Sequence, residues 1–410
     1  MLTTTLTSRD VRRINRSTVL QAIYRAGAIS RLQLSQCCGL SVATITNVVA
    51  ELLAEGILLE AGLEASDGGR PRRLLELNRE YGYFFGVEIG ETDIAVELFD
   101  LTLQNIQTAH YSLHGEENHP MKAVQCVIEG VTTLLAALNI PREKILGMGL
   151  GVLGLVDHTD NDAVLAPSWQ WQRVPLKELI NQSLHIPLYL DNGAKTMALV
   201  ELHMRKTSAT NETMIVANLG TGVGAGIVYE GKLYCGKTNS AGEWGHTVMA
   251  LDGALCRCGR RGCLEAYVGA PAIITRFRQR VSDRSEACDE DETHALIAIL
   301  EAAQHNDEVA IQVLQETAHY LGAGLANLVN LFNPQSIMLG GWVGTLLGPY
   351  LLPEVRRFVE RYALKLPFDA TQILVSQSGK DAGSIGAALL ARENFLQKIW
   401  RESPVHSWRG

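Results

Sequence analysis

The stretch "AGEWGHTVMALDGALCRCGRRGCLEA" (residues 241–266) carries the strongest local signal in the sequence. It places His246 ahead of three cysteines, Cys256, Cys258 and Cys263, which share one short loop. Three thiolates and one imidazole are a ligand set typical of a closed, tetrahedral zinc site. Because four protein ligands leave no position for an activated water, the sequence predicts a structural zinc.

Length and composition predict a globular protein of two or three domains. The chain has 410 residues, of which 47% are apolar and 20% charged, so it can bury ordinary cores. The sequence shows no apolar run of the roughly 18 residues that span a bilayer, and its N-terminus lacks an apolar signal core. The scattered cysteines are typical of a reducing compartment. We therefore expect a cytoplasmic protein with no membrane insertion.

The net charge of −8 is unevenly distributed. Residues 1–80 hold ten arginines, no lysine and eight acidic residues, whereas the remainder holds 26 basic and 36 acidic residues. An N-terminal region of this composition could contact phosphate groups, whereas the acidic remainder of the chain would be repelled by them. A charge run taken alone is more often a solvated face. The basic residues before position 32 are Arg9, Arg12, Arg13, Arg16, Arg25 and Arg31.

The first eighty residues contain the capping and turn residues that are typical of a helix-turn-helix. A helix over residues 11–25 is followed by Gly27, a capping box of Ser30 and Gln33 opens a short second helix that ends at Gly39, and Ser41 caps a third helix. Two short helices joined by a glycine turn form this motif. The positions predicted to face the core are Ile14, Val19, Ala22, Ile23, Leu32, Leu34, Ile45, Val48, Val49, Leu52 and Leu53.

A wing follows the third helix. Two apolar strands, residues 57–59 and 74–77, flank the loop "EASDGGRPRR" (64–73), whose glycines allow close backbone approach and whose arginines suit a narrow minor groove. The alternative is a protein-interaction module or a linker. With the third helix in the major groove, double-stranded DNA would be contacted by Ser41, Val42, Ala43, Thr44 and Asn47, and by the wing residues Arg70 and Arg72.

The body contains two similar segments. Residues 84–100 and 214–231 each run from an apolar strand through a turn with glycine and threonine into another apolar strand. A duplicated strand-turn-strand of this kind can hold a nucleotide, because bare backbone N–H groups approach phosphate oxygens. Glycine turns in hairpins are also common for structural reasons alone.

Together with "LGTGVGAG" (219–226), the stretch at residues 241–266 resembles the ROK family of sugar kinases and sugar-responsive repressors. Three further motifs extend the resemblance over nearly the whole body: "GLGVLGLVD" (149–157), "IMLGGWV" (337–343) and "DAGSIGAALLA" (381–391). It implies an α/β fold in which a winged helix-turn-helix precedes an actin-like (ribonuclease-H-like) two-domain sugar-kinase body. The expected domains are residues 1–80 for DNA binding, 81–195 completed by a C-terminal helix at about 385–410, and 196–384 with the zinc loop and sugar site.

The resemblance also implies a ligand set and partners. Asn192, Glu243, His246 and Glu265 would bind a sugar or sugar phosphate, and the same histidine would also bind zinc. For Glu243 and Glu265 a buried salt bridge is the structural alternative. The expected function is a sugar-responsive transcriptional regulator, by family a repressor of carbohydrate genes, that binds a DNA operator as a homodimer or tetramer.

Two departures from the family kinases predict an inactive body. Family kinases place a catalytic aspartate eight residues before a glutamate, and eight residues before Glu201 lies Gly193, so Asp191 is predicted to be a turn residue beside the sugar ligand. The first phosphate loop carries Glu88 and Glu91 where magnesium and phosphate would need an aspartate and a glycine, and a carboxylate at Glu91 would repel ATP. The extra space at Gly193 favours a pentose, a deoxy sugar or a 6-substituted sugar over glucose. The alternative is an active sugar kinase with an appended regulatory domain.

Overall fold

The computed structural model describes residues 7–64, 71–113, 119–205, 212–281, 291–379 and 381–402. The N-terminal part is a winged helix-turn-helix in which three helices pack against a three-stranded antiparallel sheet of order β1-β3-β2. Its elements are α1 (Ser8–Ala26), β1 (Ile29–Ser30), α2 (Arg31–Cys38), α3 (Val42–Ala54), β2 (Leu58–Glu64) and β3 (Arg72–Leu77).

The local signals act as the sequence predicts. Gly27 follows α1 with φ of 76° and Gly39 follows α2 in the left-handed conformation, where glycine carries no Cβ penalty. Ser30 and Gln33 form the capping box of α2, and the Ser41 side chain accepts a 3.1 Å hydrogen bond from the Thr44 amide. These caps fix the turn between α2 and α3.

One predicted core position in α1 is wrong, and three others in this domain are less buried than expected. Ile14 is 51% exposed because Arg16, two residues further on and so on the opposite side of the helix, takes the inner position and is only 4% exposed. Ala22, Leu32 and Leu53 are half-buried. The fully buried core of this domain instead includes Leu20, which the sequence pattern did not single out.

The first half of the body is built on a five-stranded sheet of order β11-β7-β4-β5-β6. Strands β4, β7 and β11 are parallel, so their carboxyl ends meet at one edge. Its elements are β4 (Tyr83–Ile89), β5 (Asp93–Asp100), β6 (Asn105–Ser112), α4 (Pro120–Leu138), β7 (Ile145–Val152), a small sheet of β8 (Leu155–Asp157), β9 (Ala163–Ala166) and β10 (Trp171–Val174), then α5 (Leu176–Leu184), β11 (Leu188–Asn192) and α6 (Gly193–Met204).

The second half repeats this plan with a sheet of order β14-β13-β12-β15-β16. Its first two strands again form an antiparallel hairpin, followed by parallel strands. Its elements are β12 (Met214–Leu219), β13 (Val223–Tyr229), β14 (Lys232–Leu233), α7 (Glu265–Val268), α8 (Ala270–Arg280), α9 (Glu292–Gln304), α10 (Glu308–Phe332), β15 (Ser336–Gly340), α11 (Gly341–Tyr362), α12 (Lys365–Ala370), β16 (Gln372–Val375) and α13 (Ala382–Glu402).

The last helix, α13, returns to the first half and packs on its sheet. Gly86 of β4 lies against the backbone of Ser384, and Gly149 of β7 lies against the backbone of Ala387, with no room for a Cβ at either glycine. Because these contacts join backbone to backbone, α13 is held rigidly on β4 and β7.

Helix α4 is the one single helix in the described part of the chain long and apolar enough to cross a membrane, and α2 with α3 passes the same test as a bent pair. The inner face of α4, with Val127 and Val131 fully buried, packs into the core of the first half. Helices α2 and α3 form the helix-turn-helix. Packing in a globular core therefore accounts for both.

Candidate functional site

A cavity of about 400 Å³ lies where the two halves face each other. The carboxyl ends of β4, β7 and β11 line it from the first half, together with the start of α6. The β12–β13 turn, the loop before α7 and the start of α11 line it from the second half. The topology thus brings the polar ends of both sheets to one cleft.

Four side chains of residues 241–266 lie close together beside this cleft. The ligand atoms of His246, Cys256, Cys258 and Cys263 all lie within 4.8 Å of one another. The Cys258 and Cys263 sulfurs are 3.8 Å apart, and the Cys256 sulfur is 3.8 Å from Nδ1 of His246. A tetrahedron with zinc–sulfur bonds of about 2.3 Å has sulfur–sulfur edges of about 3.8 Å. The four residues can therefore hold one tetrahedral metal ion.

The loop folds into this shape through two tight reversals. Gly259 and Gly262 adopt φ values of 83° and 77°, which favour glycine. An antiparallel bridge between Val248 and Cys263 closes the loop on itself. The turns at these two glycines thus allow cysteines that are spaced along the loop to lie in one compact cluster.

All four residues implied as sugar ligands line the cavity, namely Asn192, Glu243, His246 and Glu265. His246 stands between the metal cluster and the cleft, since Nδ1 faces Cys256 and Nε2 lies 3.9 Å from Oε2 of Glu243. One imidazole therefore touches both sites.

The two carboxylates of this group differ in their surroundings. Glu265 is 8% exposed and its Oε2 accepts a 3.0 Å hydrogen bond from the Val223 amide, while Oε1 lies 3.9 Å from Arg257. Burial raises the pKa of Glu243, and the charges of His246 and Lys195 oppose that rise. Glu265 is thus partly engaged by the protein, while Glu243 faces the cavity with its oxygens more available.

Asn192 links the first half to the start of α6. Its Oδ1 accepts a 2.8 Å hydrogen bond from the Ala194 amide as the N-cap of the helix, and its Nδ2 donates to the Gly154 carbonyl at 2.5 Å. Two hydrogen bonds hold this amide in a fixed orientation at the edge of the cavity.

Asp191 is buried in an ion pair away from the cavity. Its Oδ1 accepts hydrogen bonds from Lys195 Nζ at 3.1 Å, from Asn239 Nδ2 at 3.0 Å and from the Asn192 amide at 2.8 Å. Asp191, Lys195 and Asn239 are each less than 5% exposed. With these partners Asp191 is held inside the turn, and it is not among the residues that line the cavity.

Gly193 lines the cavity in place of a side chain. A Cβ at this position would meet only the Val152 carbonyl oxygen, at 3.8 Å, which is ordinary contact. The fold therefore has room for a larger residue here, and the glycine leaves the cavity wider.

The two glycine turns of the cleft are joined by Arg257, a residue that the sequence patterns did not single out. It lies between two of the clustered cysteines, donates to both oxygens of Glu91 at 2.6 and 3.2 Å, and donates to the Thr221 carbonyl at 2.8 Å. The Thr221 hydroxyl donates in turn to Glu292 at 2.6 Å. Its spacing gives no sign of this role, because Arg257 and Glu91 are 166 residues apart.

Two other residues at the site also escaped the sequence patterns. Lys195 pairs with Asp191 four residues earlier, a helical spacing that could have identified it. Trp342 packs over Gly220 at the start of the second turn, where a Cβ on the glycine would lie 3.3 Å from the indole ring.

The N-terminal surface of α3 is exposed. Ser41, Val42, Ala43 and Asn47 are solvent-accessible, and Thr44 is half-buried with its hydroxyl 2.9 Å from that of Ser41. Arg72 is exposed at the start of β3, whereas Arg70 lies outside the described residues. Ser41, Val42, Ala43 and Asn47 are therefore exposed outside the domain core.

The basic run before residue 32 is largely neutralised inside the domain. Arg12 donates to Glu51 of α3, Arg16 donates to Glu55 at the C-cap of α3 at 2.5 Å, and Arg31 pairs with Glu60 at 3.1 Å. Arg16 is thus a structural residue that joins α1 to α3. The expectation that this run meets phosphates is wrong for Arg16, because its guanidinium is buried.

Comparison with known proteins extends these observations over the whole chain. A family model described as the ROK family matches residues 84–394. The chain is 29% identical to the xylose repressor of Caldicellulosiruptor bescii over 94% of this chain and 97% of that protein. It is 30% identical to the glucokinase of Halalkalibacterium halodurans over 77% of this chain and 97% of that enzyme.

A solved structure shares the complete architecture. A ROK family transcriptional regulator described as a homologue of the Escherichia coli Mlc protein superposes with a TM-score of 0.78, covering 95% of this chain and 98% of that one at 24% identity. The predicted fold class, a winged helix-turn-helix in front of a sugar-kinase-like α/β body, is confirmed. With the family model matching more than half of its length, the chain belongs to the ROK family.

Proposed function

We propose that this protein is a DNA-binding transcriptional repressor that responds to an uncharged monosaccharide bound in the cleft. The observation that carries the proposal is the winged helix packed directly on a ROK body. The similarity to the xylose repressor spans both parts, because it covers 94% of this chain and 97% of the repressor. The similarity to the glucokinase covers only 77% of this chain. A DNA-binding domain fused to the body favours regulation over metabolism of the sugar.

The cleft suits a polyol without charge. Its lining combines two amides, Asn192 and Asn218, with carboxylates and an imidazole, which accept and donate to hydroxyl groups. The lining contains seven carboxylates but one arginine, Arg257, and that guanidinium is already engaged. Such a field disfavours phosphate groups. Between the sugar and the sugar phosphate that the sequence left open, the charges of the cleft support the sugar.

Zinc is the metal that best fits the cluster of one histidine and three cysteines. With all four positions taken by protein ligands, the ion would act structurally, holding the loop that carries Arg257 and orienting His246 towards the cavity. The chain's own residues then bind the sugar, and no step passes through the metal.

The body is proposed to be catalytically inactive. Gly193 replaces the carboxylate that would take a proton from the sugar, and Asp191 is buried in its pair with Lys195. The phosphate side of the cleft is occupied by the Arg257 side chain. An ATP-dependent sugar kinase with an appended DNA-binding domain is the second candidate, supported by the intact glycine turn of residues 220–226 and by the 30% identity to a glucokinase.

Binding to an operator is proposed to require two chains. A winged helix reads one half-site, and a homodimer or a tetramer of two dimers places two copies on a palindromic operator. Sugar would favour one angle between the two halves of the body, and that angle would set the spacing of the two α3 helices. A protein of this kind acts in the cytoplasm, where its DNA lies.

The proposal is tested with a gel mobility shift on the DNA upstream of the gene. The full chain is titrated with and without D-xylose, L-arabinose, 2-deoxy-D-glucose, N-acetyl-D-glucosamine, D-glucose and D-glucose 6-phosphate, and the same panel is measured by calorimetry. Sequence-specific binding that one uncharged sugar weakens supports the proposal. No specific shift, or a preference for the phosphorylated sugar, contradicts it.

A further inference from the structure

The DNA-binding domain is packed onto the body through a shared core. Leu20 and Ile23 of α1 belong to one buried cluster with Ala388 and Ala391 of α13 and with Phe84 of β4. All five are fully buried. Because such cores are close-packed, a displacement of α13 is transmitted to α1 without slack.

One charged residue lies inside this junction. Arg392 of α13 is 6% exposed, and its guanidinium stacks over the ring of Tyr24 of α1 at 4.4 Å. The Tyr24 hydroxyl donates to the Leu101 carbonyl at 2.7 Å, which fixes the ring. Among the residues that the structure describes, Nε and Nη1 of Arg392 have no hydrogen-bond partner.

A buried guanidinium in this setting is costly. Replacing a buried charge with an apolar residue of similar volume is often neutral or stabilising, so packing alone does not account for Arg392. The residue has a further contact, since its Nη2 donates to Nδ1 of His203 at 3.5 Å. His203 lies in the last turn of α6.

Helix α6 connects this junction to the cleft. Its N-cap, Asn192, and its first residue, Gly193, line the cavity. Its first turns are pressed between the two halves, because Gly226 of β13 lies against the Ala194 carbonyl and Gly386 of α13 lies against the Thr196 carbonyl, with no room for a Cβ at either glycine. A change in the angle between the two sheets must therefore shift α6 relative to β13 or α13.

We propose that Arg392 is a positioning residue that couples the state of the cleft to the DNA-binding domain by joining α6, α13 and α1 at one point. The inference rests on the proposed function, in which sugar changes the affinity for DNA. When α6 moves, its contact through His203 changes the placement of the guanidinium, and the stacked Tyr24 carries that change into α1. The contacts are seen in the structure, and the experiment measures whether they couple the cleft to the DNA-binding domain.

The test measures a ratio that a merely structural residue would not change. For the full-length wild type, operator affinity is measured by fluorescence anisotropy with and without the panel sugar that binds most tightly in calorimetry. The variants are Arg392→Met, Tyr24→Leu and their combination, with Arg392→Lys as the conservative change. Arg361→Met is the matched control, because Arg361 stacks on Tyr362 at 5.6 Å on α11, away from the DNA-binding domain.

The coupling factor of an allosteric protein is commonly about 5- to 150-fold. We expect Arg392→Met and Tyr24→Leu each to reduce the factor to less than about threefold, with sugar affinity and sugar-free DNA affinity within about threefold of the wild type. Their effects should not add in the combined variant, since both remove the same contact. Arg392→Lys should retain part of the factor, and Arg361→Met all of it.

The outcomes separate the two proposals. If the wild type binds no specific DNA or no sugar of the panel, the proposed function fails. If it binds both and the factor is above fivefold in the wild type and unchanged in Arg392→Met and Tyr24→Leu, the inference about Arg392 is overturned while the function stands. A reduction of equal size in the Arg361→Met control would also overturn it.

Discussion

Arg257 and Glu91 face each other across the mouth of the cleft, with Nη1 of the arginine 2.6 Å from Oε2 of the glutamate. The arginine belongs to the metal loop of the second half, and the glutamate follows β4 in the first half. The sequence predicted that a bare carboxylate at Glu91 would repel ATP. In the structure that charge is paired with Arg257, whose guanidinium lies between the two glycine turns.

This pair leads us to expect no kinase activity, even when the missing carboxylate is restored. A Cβ at Gly193 would meet only ordinary contact, and in Gly193→Asp the Arg257 guanidinium would still lie between the two glycine turns. A coupled ATPase assay with the sugar panel should give no sugar-stimulated turnover for the wild type or for Gly193→Asp. Gly193→Ala controls for added volume. Sugar-dependent ATP consumption by the wild type would show that the body is an active kinase.

The sequence predicted the helices and turns that are bounded by local capping and turn residues. It missed the contacts between segments that are distant along the chain. Capping residues such as Ser41 and turn glycines such as Gly39 act through neighbours within a few positions, so their effects are readable. The metal cluster was predictable because its ligands lie in one loop. The pairing of Arg257 with Glu91 was not, since it depends on how two halves of the chain face each other.

Burial of polar residues was the main source of error in the N-terminal domain. The hydrophobic pattern assigned Ile14 to the core of α1, but an ion pair with Glu55 makes it possible to bury Arg16 instead. Periodicity identifies which faces are apolar and carries no information on a buried salt bridge. Ion pairs also engage Arg12 and Arg31, which a count of charges does not reveal.

Metal removal should disturb both the loop and the sugar site. We expect about one zinc per chain by elemental analysis, and Cys258→Ser should lose most of it. Because loss of a structural metal belongs to the severe class of changes, unfolding free energy should fall by about 3 kcal/mol or more. Sugar affinity should fall as well, since His246 touches both sites. Cys37→Ser, at an exposed thiol of α2, is the control and should leave zinc content unchanged.

The buried pair of Asp191 and Lys195 should be important for stability. Lys195→Met leaves the aspartate charged and buried, which costs about 3–5 kcal/mol of unfolding free energy in urea titration. The double change with Asp191→Asn should recover part of that loss. Lys177→Met removes a more exposed pair with Asp162 and should cost about 1 kcal/mol or less. Equal effects of the two lysine substitutions would contradict the structural role assigned to Asp191.

The stability of the protein should decrease between pH 5 and pH 8 because of Glu88. Burial raises the pKa of this carboxyl to about 7, and repulsion from Asp93, Glu97 and Asp381 adds to the rise. The folded state then keeps a proton that the unfolded state has released, so the stabilisation is complete below pH 4.5 and is lost as the pH rises through about 7. The contribution is about 3 kcal/mol at most.

Glu88→Gln tests this dependence, because the amide cannot ionise. Urea unfolding of the variant should lose the part of the pH slope between pH 5 and pH 8 that the wild type shows, and at pH 8 the variant should be the more stable protein. Glu178→Gln, at an exposed position of α5, should retain the wild-type slope. An identical slope in wild type and Glu88→Gln would assign the dependence to other groups.

The exposed start of α3 gives the sharpest test of DNA recognition. Asn47 is accessible and projects from the side of the helix opposite to the buried Val49, so its amide can reach a base edge in the major groove. Asn47→Ala should weaken binding to the operator by about 1–3 kcal/mol, leave binding to random duplex unchanged, and keep the salt dependence, because no phosphate contact is lost. Gln21→Ala, an exposed amide on α1, is the matched control. Equal weakening on operator and random DNA would assign Asn47 to the backbone and would place base recognition on other residues of α3.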